Sequence, residues 1–313
     1  MRAATIAFVA LASVPVIAQA ATSRARYLMG TVCAIAATDE HDAERAFAEA
    51  ERVEAMLSTW RNDSELSRVN AGAPPSPELQ ELLATTLRWS RETGGAFNPL
   101  IAPLLRAWHV REGITAVPPR AALDDAVAKA NLGNATLAPF ALRNGAAFEE
   151  GAFGKGYALD RMLAATRSTA VLIDFGGQLA IRGTFDVSIA NPENRDEPVL
   201  AFSMTDGSLS TSSGSEKTFT VGGARFSHIL DPRSGEALPP RGSVSVLADD
   251  ALTADILSTA LYVLGEGDGL AWANGRGIAA IFIDSDHQIR LSAAARERVR
   301  GLRLRNRQFR LKD

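Results

Sequence analysis

The sequence predicts an α+β protein, with largely antiparallel sheets and flanking helices. Two patterns carry that reading. Apolar residues recur at helical spacing through His41 to Ser58, Glu78 to Thr93 and Ala251 to Leu264. Elsewhere, short β-branched runs are joined by turn signals such as Asn144-Gly145 and Gly222-Gly223, the punctuation of antiparallel hairpins. With 313 residues, 46% of them hydrophobic, a sizeable core is available.

Taken in order, Ala25 to Ala36 reads as one strand containing Met29-Gly30-Thr31. The helix from His41 follows, then a short helix that Ser64 can cap and that ends near Asn70. A Pro-rich connection over residues 71–77 leads to the helix Glu78 to Thr93, which Gly94-Gly95 stops. Beyond Leu100, Trp108 reads as a core aromatic and His109 as a surface residue; Leu123 to Ala130 is a short helix. Ala135 to Leu142 and Ala146 to Glu149 read as two strands joined through Arg143-Asn144-Gly145. A helix over Gly156 to Thr166 and a buried strand over Ala170 to Ile173 come next. Strands are expected at 179–182, 185–190, 200–204, 208–211, 217–221, 225–230, 243–247 and 279–283, with a short helix at 268–274. The basic tail from Arg296 reads as a solvated closing strand or helix.

Arg2, the apolar run Ile6 to Ile17 and the small residues Ala18-Gln19-Ala20 read as a secretory signal over residues 1–20, leaving one domain over 21–313. The signal is too short to span a membrane stably, and no later stretch is long and apolar enough to do so. Its removal takes the formal charge from −3 to −4, because Arg2 is its one charged residue. With 33 basic and 36 acidic residues, bulk electrostatics point to no nucleic-acid partner. An exported chain with one cysteine, Cys33, has no internal disulfide, and its apolar neighbours make Cys33 a buried strand residue. The expected location is the periplasm.

The densest chemistry lies in Glu149 to Gly177, EEGAFGKGYALDRMLAATRSTAVLIDFGG. Glycines at this density let backbone approach a ligand, and Lys155 supplies a compact positive charge for a phosphate. Two familiar phosphate motifs fail: Lys155 is followed by Gly156 rather than Ser or Thr, and the nearest G-x-G-x-x-G match, at Gly265, lacks its last glycine. Asp255 and Thr259 lie one helical turn apart, so they share a face and can offer two oxygens to a hard cation. Thr259 can equally bond back to a carbonyl of its own helix. His228 is the best-placed candidate base, since an imidazole titrates near neutrality, although a satisfied core histidine is the commoner case.

These pieces occur in a characteristic order. Met29-Gly30-Thr31 is followed by Ser58-Thr59-Trp60, Ser64-Glu65-Leu66-Ser67 and Asn70, then by Gly94-Gly95-Ala96-Phe97-Asn98-Pro99. Gly154-Lys155-Gly156-Tyr157-Ala158-Leu159-Asp160, Gly176-Gly177 and Ser212-Ser213-Gly214 come next. His228-Ile229-Leu230-Asp231-Pro232-Arg233-Ser234-Gly235 and Ala254-Asp255 with Thr259-Ala260-Leu261 complete the set. In this order they resemble the ApbE family of FAD:protein FMN transferases, over roughly residues 25–285.

The resemblance implies an ApbE-like, T-fold-related architecture with FAD held between lobes. It implies magnesium-dependent transfer of FMN from FAD to a threonine or serine of a target protein, with release of AMP. By position, Met29, Trp60, Ala96, Phe97, Asn98, Glu149, Lys155 and Ile229 match flavin-nucleotide contacts. The carbonyl of Ala152 with Asp255 and Thr259 matches the metal site, with Ser258 beside them, and His228 matches the residue that activates the acceptor hydroxyl. The expected partner is a flavoprotein subunit of a membrane or periplasmic redox system. Asp206-Gly207-Ser208-Leu209-Ser210-Thr211 is only loosely like an acceptor motif, so the acceptor is expected in another protein. Trp60 stands where the family usually has tyrosine, and Asn98 and Glu149 where it has aspartate. Two alternatives stay open at the level of sequence: hydrolysis of FAD to FMN and AMP, and flavin binding without turnover.

Overall fold

A computed structural model describes residues 22–312; the expected signal over residues 1–20 lies outside them. Thr22–Leu28 (β1) and Thr31–Ala37 (β2) pair antiparallel, so the single strand expected over Ala25 to Ala36 is a hairpin. The reason lies at its middle. Met29 and Gly30 both take left-handed backbone, with φ of 46° and 78°, the combination a two-residue hairpin turn requires. The Met29 N–H is held by Glu54 Oε1 at 3.2 Å.

Glu40–Leu57 (α1), Glu65–Asn70 (α2) and Pro77–Glu92 (α3) follow, each begun by a side-chain cap from Asp39, Ser64 and Ser76 respectively. Ala102–Ala107 (α4) and Arg120–Lys129 (α5) come next. Ala135–Leu137 (β3) and Phe140–Leu142 (β4) form a small hairpin. Asn144-Gly145 turns the chain as read, but residues 146–149 do not enter a strand. Their backbone groups go elsewhere: the Asn70 amide clips the Phe148 peptide at 2.9 and 2.8 Å, and the Glu149 N–H donates to Pro99 O at 2.9 Å.

Gly154–Ala165 (α6) leads into Val171–Phe175 (β5), Gln178–Ala190 (β6), Pro198–Ser213 (β7), Thr218–Val221 (β8), Ala224–Ser227 (β9) and Ser243–Ala248 (β10). Then come Ala251–Leu264 (α7), Glu266–Arg276 (α8), Ala279–Ile283 (β11), Gln288–Leu291 (β12), Ala293–Arg298 (α9), Arg300–Leu304 (β13) and Arg310–Leu311 (β14). β6 and β7 are long single strands where two short ones were expected in each. The register between them shifts between Ile181 and Thr184, so Gly183 is absorbed as an irregularity and not used as a turn.

Among the described residues ten strands form one sheet, in the order β1-β2-β5-β6-β7-β10-β11-β12-β14, with β13 also paired to β7. All pairs are antiparallel except β12 with β14. One face is covered by α1, α3, α6 and α7, which share a core with Ile35, Ile173, Val246 and Phe282. The other is covered by α9 and Phe309, over Leu247, Ile281 and Ile289. β10 and β11 are therefore buried throughout, since neither face meets water, and β11 is apolar at every position. A third cluster joins α4 and α5 to the β8–β9 hairpin, and includes Trp108, whose indole N–H donates to Gly235 O at 2.7 Å. Cys33 is buried in β2, and burial, helped by Asp174, pushes its thiol up to about 12.

Candidate active site

The site is built on the crossing of α6 and α7. Gly156, in the first turn of α6, donates its N–H to Asp255 Oδ2 at 2.9 Å. Only glycine fits there: an added Cβ would lie 2.7 Å from Asp255 Cβ and would also overlap Ala251 O. In the first turn of α6 the Gly156 N–H has no acceptor within its own helix, and Asp255 supplies one. The other oxygen of Asp255 accepts from Gln178 Nε2 at 2.8 Å. Gln178 Oε1 is buried without a partner.

The crossing is locked a second time. Asp160, one turn further along α6, accepts from the N–H groups of Ala251 and Leu252 at 2.7 and 2.9 Å. Asp250 caps Thr253 at 2.7 Å, and the Ala254 N–H reaches Asp250 O. The free donors of the first three residues of α7 are thus satisfied, two of them by the neighbouring helix. This explains why the lysine motif runs on to Asp160. Burial pushes the Asp160 carboxyl up to about 6 against the pull of those two bonds.

Asp255 is 2% exposed, and among the described residues no Lys, Arg or His comes within ion-pair distance of it. Burial pushes its carboxyl above the ordinary range; the charge of Lys155 and the bonds from Gly156 and Gln178 oppose this, and Glu216 adds to it. Ser258 and Thr259 stand beside it on α7. Ser258 Oγ lies 2.9 Å from Ser212 Oγ and 3.2 Å from Ser210 Oγ, and Thr259 Oγ1 lies 3.1 Å from Ser212 Oγ. The result is a buried carboxylate and, one turn along the same helix, a cluster of linked hydroxyls, in which Ser258 Oγ also donates to the Asp255 carbonyl at 3.0 Å.

His228 sits just past the end of β9, not inside a strand as read, and its N–H donates to Lys217 O at 3.1 Å. Its Nδ1 is buried without a partner. Burial pushes the imidazole below its ordinary value; Glu216 opposes this, while Lys217 and Lys155 add to it. Lys155 and Glu216 thus act on both Asp255 and His228, which makes the four groups one electrostatic unit. Glu216 is itself held by Arg195 at 3.3 Å, and Arg195 also donates to Gly176 O at 3.1 Å.

A cleft of about 300 Å³ opens beside Lys155, lined by Met29, Ser58, Trp60, Glu149, Glu150 and Gly154 among others. Four expected nucleotide contacts therefore meet in one place: Met29, Trp60, Glu149 and Lys155. Thr59 ties the rim together. Its Oγ1 donates to Glu150 Oε2 at 2.7 Å or Glu149 Oε2 at 3.1 Å, and its N–H donates to Glu150 Oε1 at 3.0 Å. Arg111 grips Glu149 at 3.0 and 3.1 Å. Burial, and then the charge of Glu150, pushes the Glu149 carboxyl up to about 7 even so.

The remaining expected contacts are placed differently. Ala96 and Phe97 are buried in the main core, so their backbone is what they offer to a ligand. Asn98 donates to Ala130 O and accepts from the Leu100 N–H, both at 2.9 Å, and so shapes the turn before Pro99. Ile229 is buried within the main core. Thr59 and Ser212 stand in the sequence only as parts of motifs, and Arg111, Glu216 and Gln178 join the site without having been expected there. The one available signal was that Ser212 and Glu216 flank the conspicuous Gly214.

Comparison with known proteins agrees with this framework. A model of the ApbE family matches residues 29–282. A FAD:protein FMN transferase of Treponema pallidum is 31% identical over 322 residues, spanning 90% of this chain and 89% of that protein. Another, from Klebsiella pneumoniae, is 31% identical over 280 residues, spanning 84% and 89%. Among solved structures, the ApbE protein of Thermotoga maritima matches with a TM-score of 0.81 at 24% identity, over 90% of this chain and 100% of that one, a likeness of fold. The apo flavinyl transferase ApbE of Pseudomonas stutzeri matches with a TM-score of 0.76 at 26% identity, over 89% and 96%. Fold and site define an enzyme of the antiparallel α+β class with a carboxylate–hydroxyl centre at a helix crossing. The chain belongs to the ApbE family.

Proposed function

We propose that this enzyme transfers FMN from FAD to a threonine or serine hydroxyl of another protein, forming a phosphoester and releasing AMP, with magnesium. The observation that carries the reading is the Asp255 centre: a buried carboxylate, pinned by Gly156 and Gln178, with the hydroxyls of Ser258 and Thr259 one turn along the same helix and, among the described residues, no cationic side chain within ion-pair distance. Its donors are hard oxygens, and only two lone-pair positions of the carboxylate are used, so the residues fit a divalent cation better than any internal partner. Asp255 and Thr259, with the Ala152 carbonyl and with Ser258 alongside, would hold magnesium, which would neutralise charge on the FAD pyrophosphate.

The chain's own groups supply the rest. Lys155 lines the cleft and offers a point charge to a phosphate. Met29 and Trp60 offer an apolar and an aromatic surface for a ring. His228, kept neutral by burial, can take the proton of the acceptor hydroxyl. That oxygen then bonds to the FMN-side phosphorus as the pyrophosphate P–O bond breaks and AMP leaves. Ser208 and Ser210 are buried within β7, and Thr211 Oγ1 is engaged with Ser245 at 2.7 Å, which supports an acceptor in another chain. With residues 1–20 read as a signal, the reaction belongs in the periplasm, with a redox subunit there or in the membrane as acceptor.

The test is to incubate the protein with FAD, magnesium and a candidate acceptor domain and to look for covalent flavin by in-gel fluorescence. FMN and AMP without labelled acceptor would mean hydrolysis instead, and bound FAD with neither product would mean a binding protein. His228→Ala is expected to lose transfer and keep FAD binding; transfer at the original rate would remove His228 from the mechanism.

A further inference from the structure

We infer that Arg111 is a positioning residue that holds Trp60 as a fixed stacking platform for an aromatic ring of the nucleotide. The inference rests on the flavin-nucleotide reading of the cleft and adds a residue which that reading did not contain.

Trp60 is 67% exposed, an unusual state for an indole with no fold to support. It is nonetheless held. The guanidinium carbon of Arg111 lies 4.3 Å from its ring centroid, within cation–π range. That guanidinium is fixed from behind by Glu149 at 3.0 and 3.1 Å and by Thr59 O at 3.1 Å, with a further contact to Thr59 Oγ1. Glu149 and Thr59 are themselves tied through Glu150. One arginine thus joins three separate segments, the residues around 59, 111 and 149, and presents Trp60 at the mouth of the cleft. A planar fork can stack and bond in this way at once, whereas an ammonium cannot. With one indole face backed by Arg111, the other is left to the cleft, and every flavin or adenine ring has a flat face to lay on it. Flavin and adenine share this chemistry, and the ligands used in the test separate them.

The experiment measures equilibrium binding of FAD, FMN and AMP to the full-length mature protein and to Arg111→Ala, Arg111→Lys, Trp60→Ala and the Arg111→Ala/Trp60→Ala double variant. Trp60→Ala is expected to weaken FAD by about tenfold or more, the scale of one aromatic stack. Arg111→Ala is expected to weaken it by roughly fivefold, the scale of an exposed to partly buried cation–π contact. Arg111→Lys, which keeps the charge and loses the plane, should resemble Arg111→Ala. The double variant should bind no more weakly than Trp60→Ala alone, because Arg111 acts through the indole. The same pattern seen with FMN would assign the ring to flavin, and with AMP to adenine. If the wild type binds none of the three, the nucleotide reading of the cleft itself fails. If the wild type binds FAD but Arg111→Ala binds equally well, Arg111→Lys restores full affinity, or Arg111→Ala weakens the Trp60→Ala protein further, the positioning role is overturned while the site stands.

Discussion

Asp255, fully buried, and Glu149, with 11% of its side chain exposed, are both carboxylates that burial lifts above their ordinary range, and both belong to one site, yet they are held in opposite ways. Asp255 is bound by a peptide N–H and a side-chain amide, on a helix crossing packed too closely for a Cβ at Gly156. Glu149 is bound by an arginine and a threonine on mobile-length side chains, next to a second carboxylate. The first arrangement fixes a negative charge and leaves it uncompensated by the protein. The second compensates a charge and uses it to hold the rim. A buried charge without a counter-ion is retained where something else brings the counter-ion, whereas a paired one has structural work of its own.

The contrast breaks most completely at Gly156. Gly156→Ala drives a methyl into Asp255 and Ala251 O, so the crossing must open. It is expected to lower stability by about 2–3 kcal/mol and to abolish transfer, seen by thermal melting and in-gel flavin fluorescence. A melting temperature within a degree of wild type would mean that the crossing is softer than its geometry.

Asp255→Asn keeps the shape and removes the charge. Gln178 can turn its amide, whose Oε1 is now without a partner, to accept from the new Asn side chain. Because burial raises the folded-state pKa of Asp255, ionising it opposes folding once pH passes the ordinary carboxylate range. The ligand-free variant is therefore expected to melt at or above wild type at pH 8. Transfer should fall by about a hundredfold or more, and the rise in melting temperature on adding magnesium should disappear. A magnesium shift of wild-type size would move the cation elsewhere.

The smallest effect is expected at Glu149. Its folded value of about 7 lies above the ordinary 4.5, so the folded state binds more protons between these values and loses stability as pH rises through them. Glu149→Gln is expected to raise the melting temperature by a few degrees at pH 8 and to leave it unchanged at pH 4. A loss at pH 8 would show that the Arg111 pair outweighs burial.

What the sequence disclosed follows from the range of the interactions. Helices α1, α3 and α7 were legible because their apolar spacing and caps are local. The β1–β2 turn was missed because a methionine in left-handed backbone is no turn signal; Glu54, far along α1, helps to hold it. β6 reads as two fragments because Gly183 looks like a turn until a neighbouring strand runs past it. In the site, the glycine–lysine motif, Asp255, Thr259 and His228 carried a recognisable order. Gln178 lies 77 residues from Asp255 and Arg111 lies 38 from Glu149, so no local pattern announces either.

Asp160 has a consequence for time as well as for geometry. By closing the start of α7 with a side chain from α6, it makes the amides of Ala251 and Leu252 depend on the junction of two helices and not on the fraying of one end. Helix starts usually exchange their hydrogens quickly. Here those two amides, with that of Gly156, are expected to exchange among the slowest in the protein, and to do so before any nucleotide arrives. The centre would then be ready-made in the empty enzyme, and the waiting step in each turnover would be the arrival of its partners.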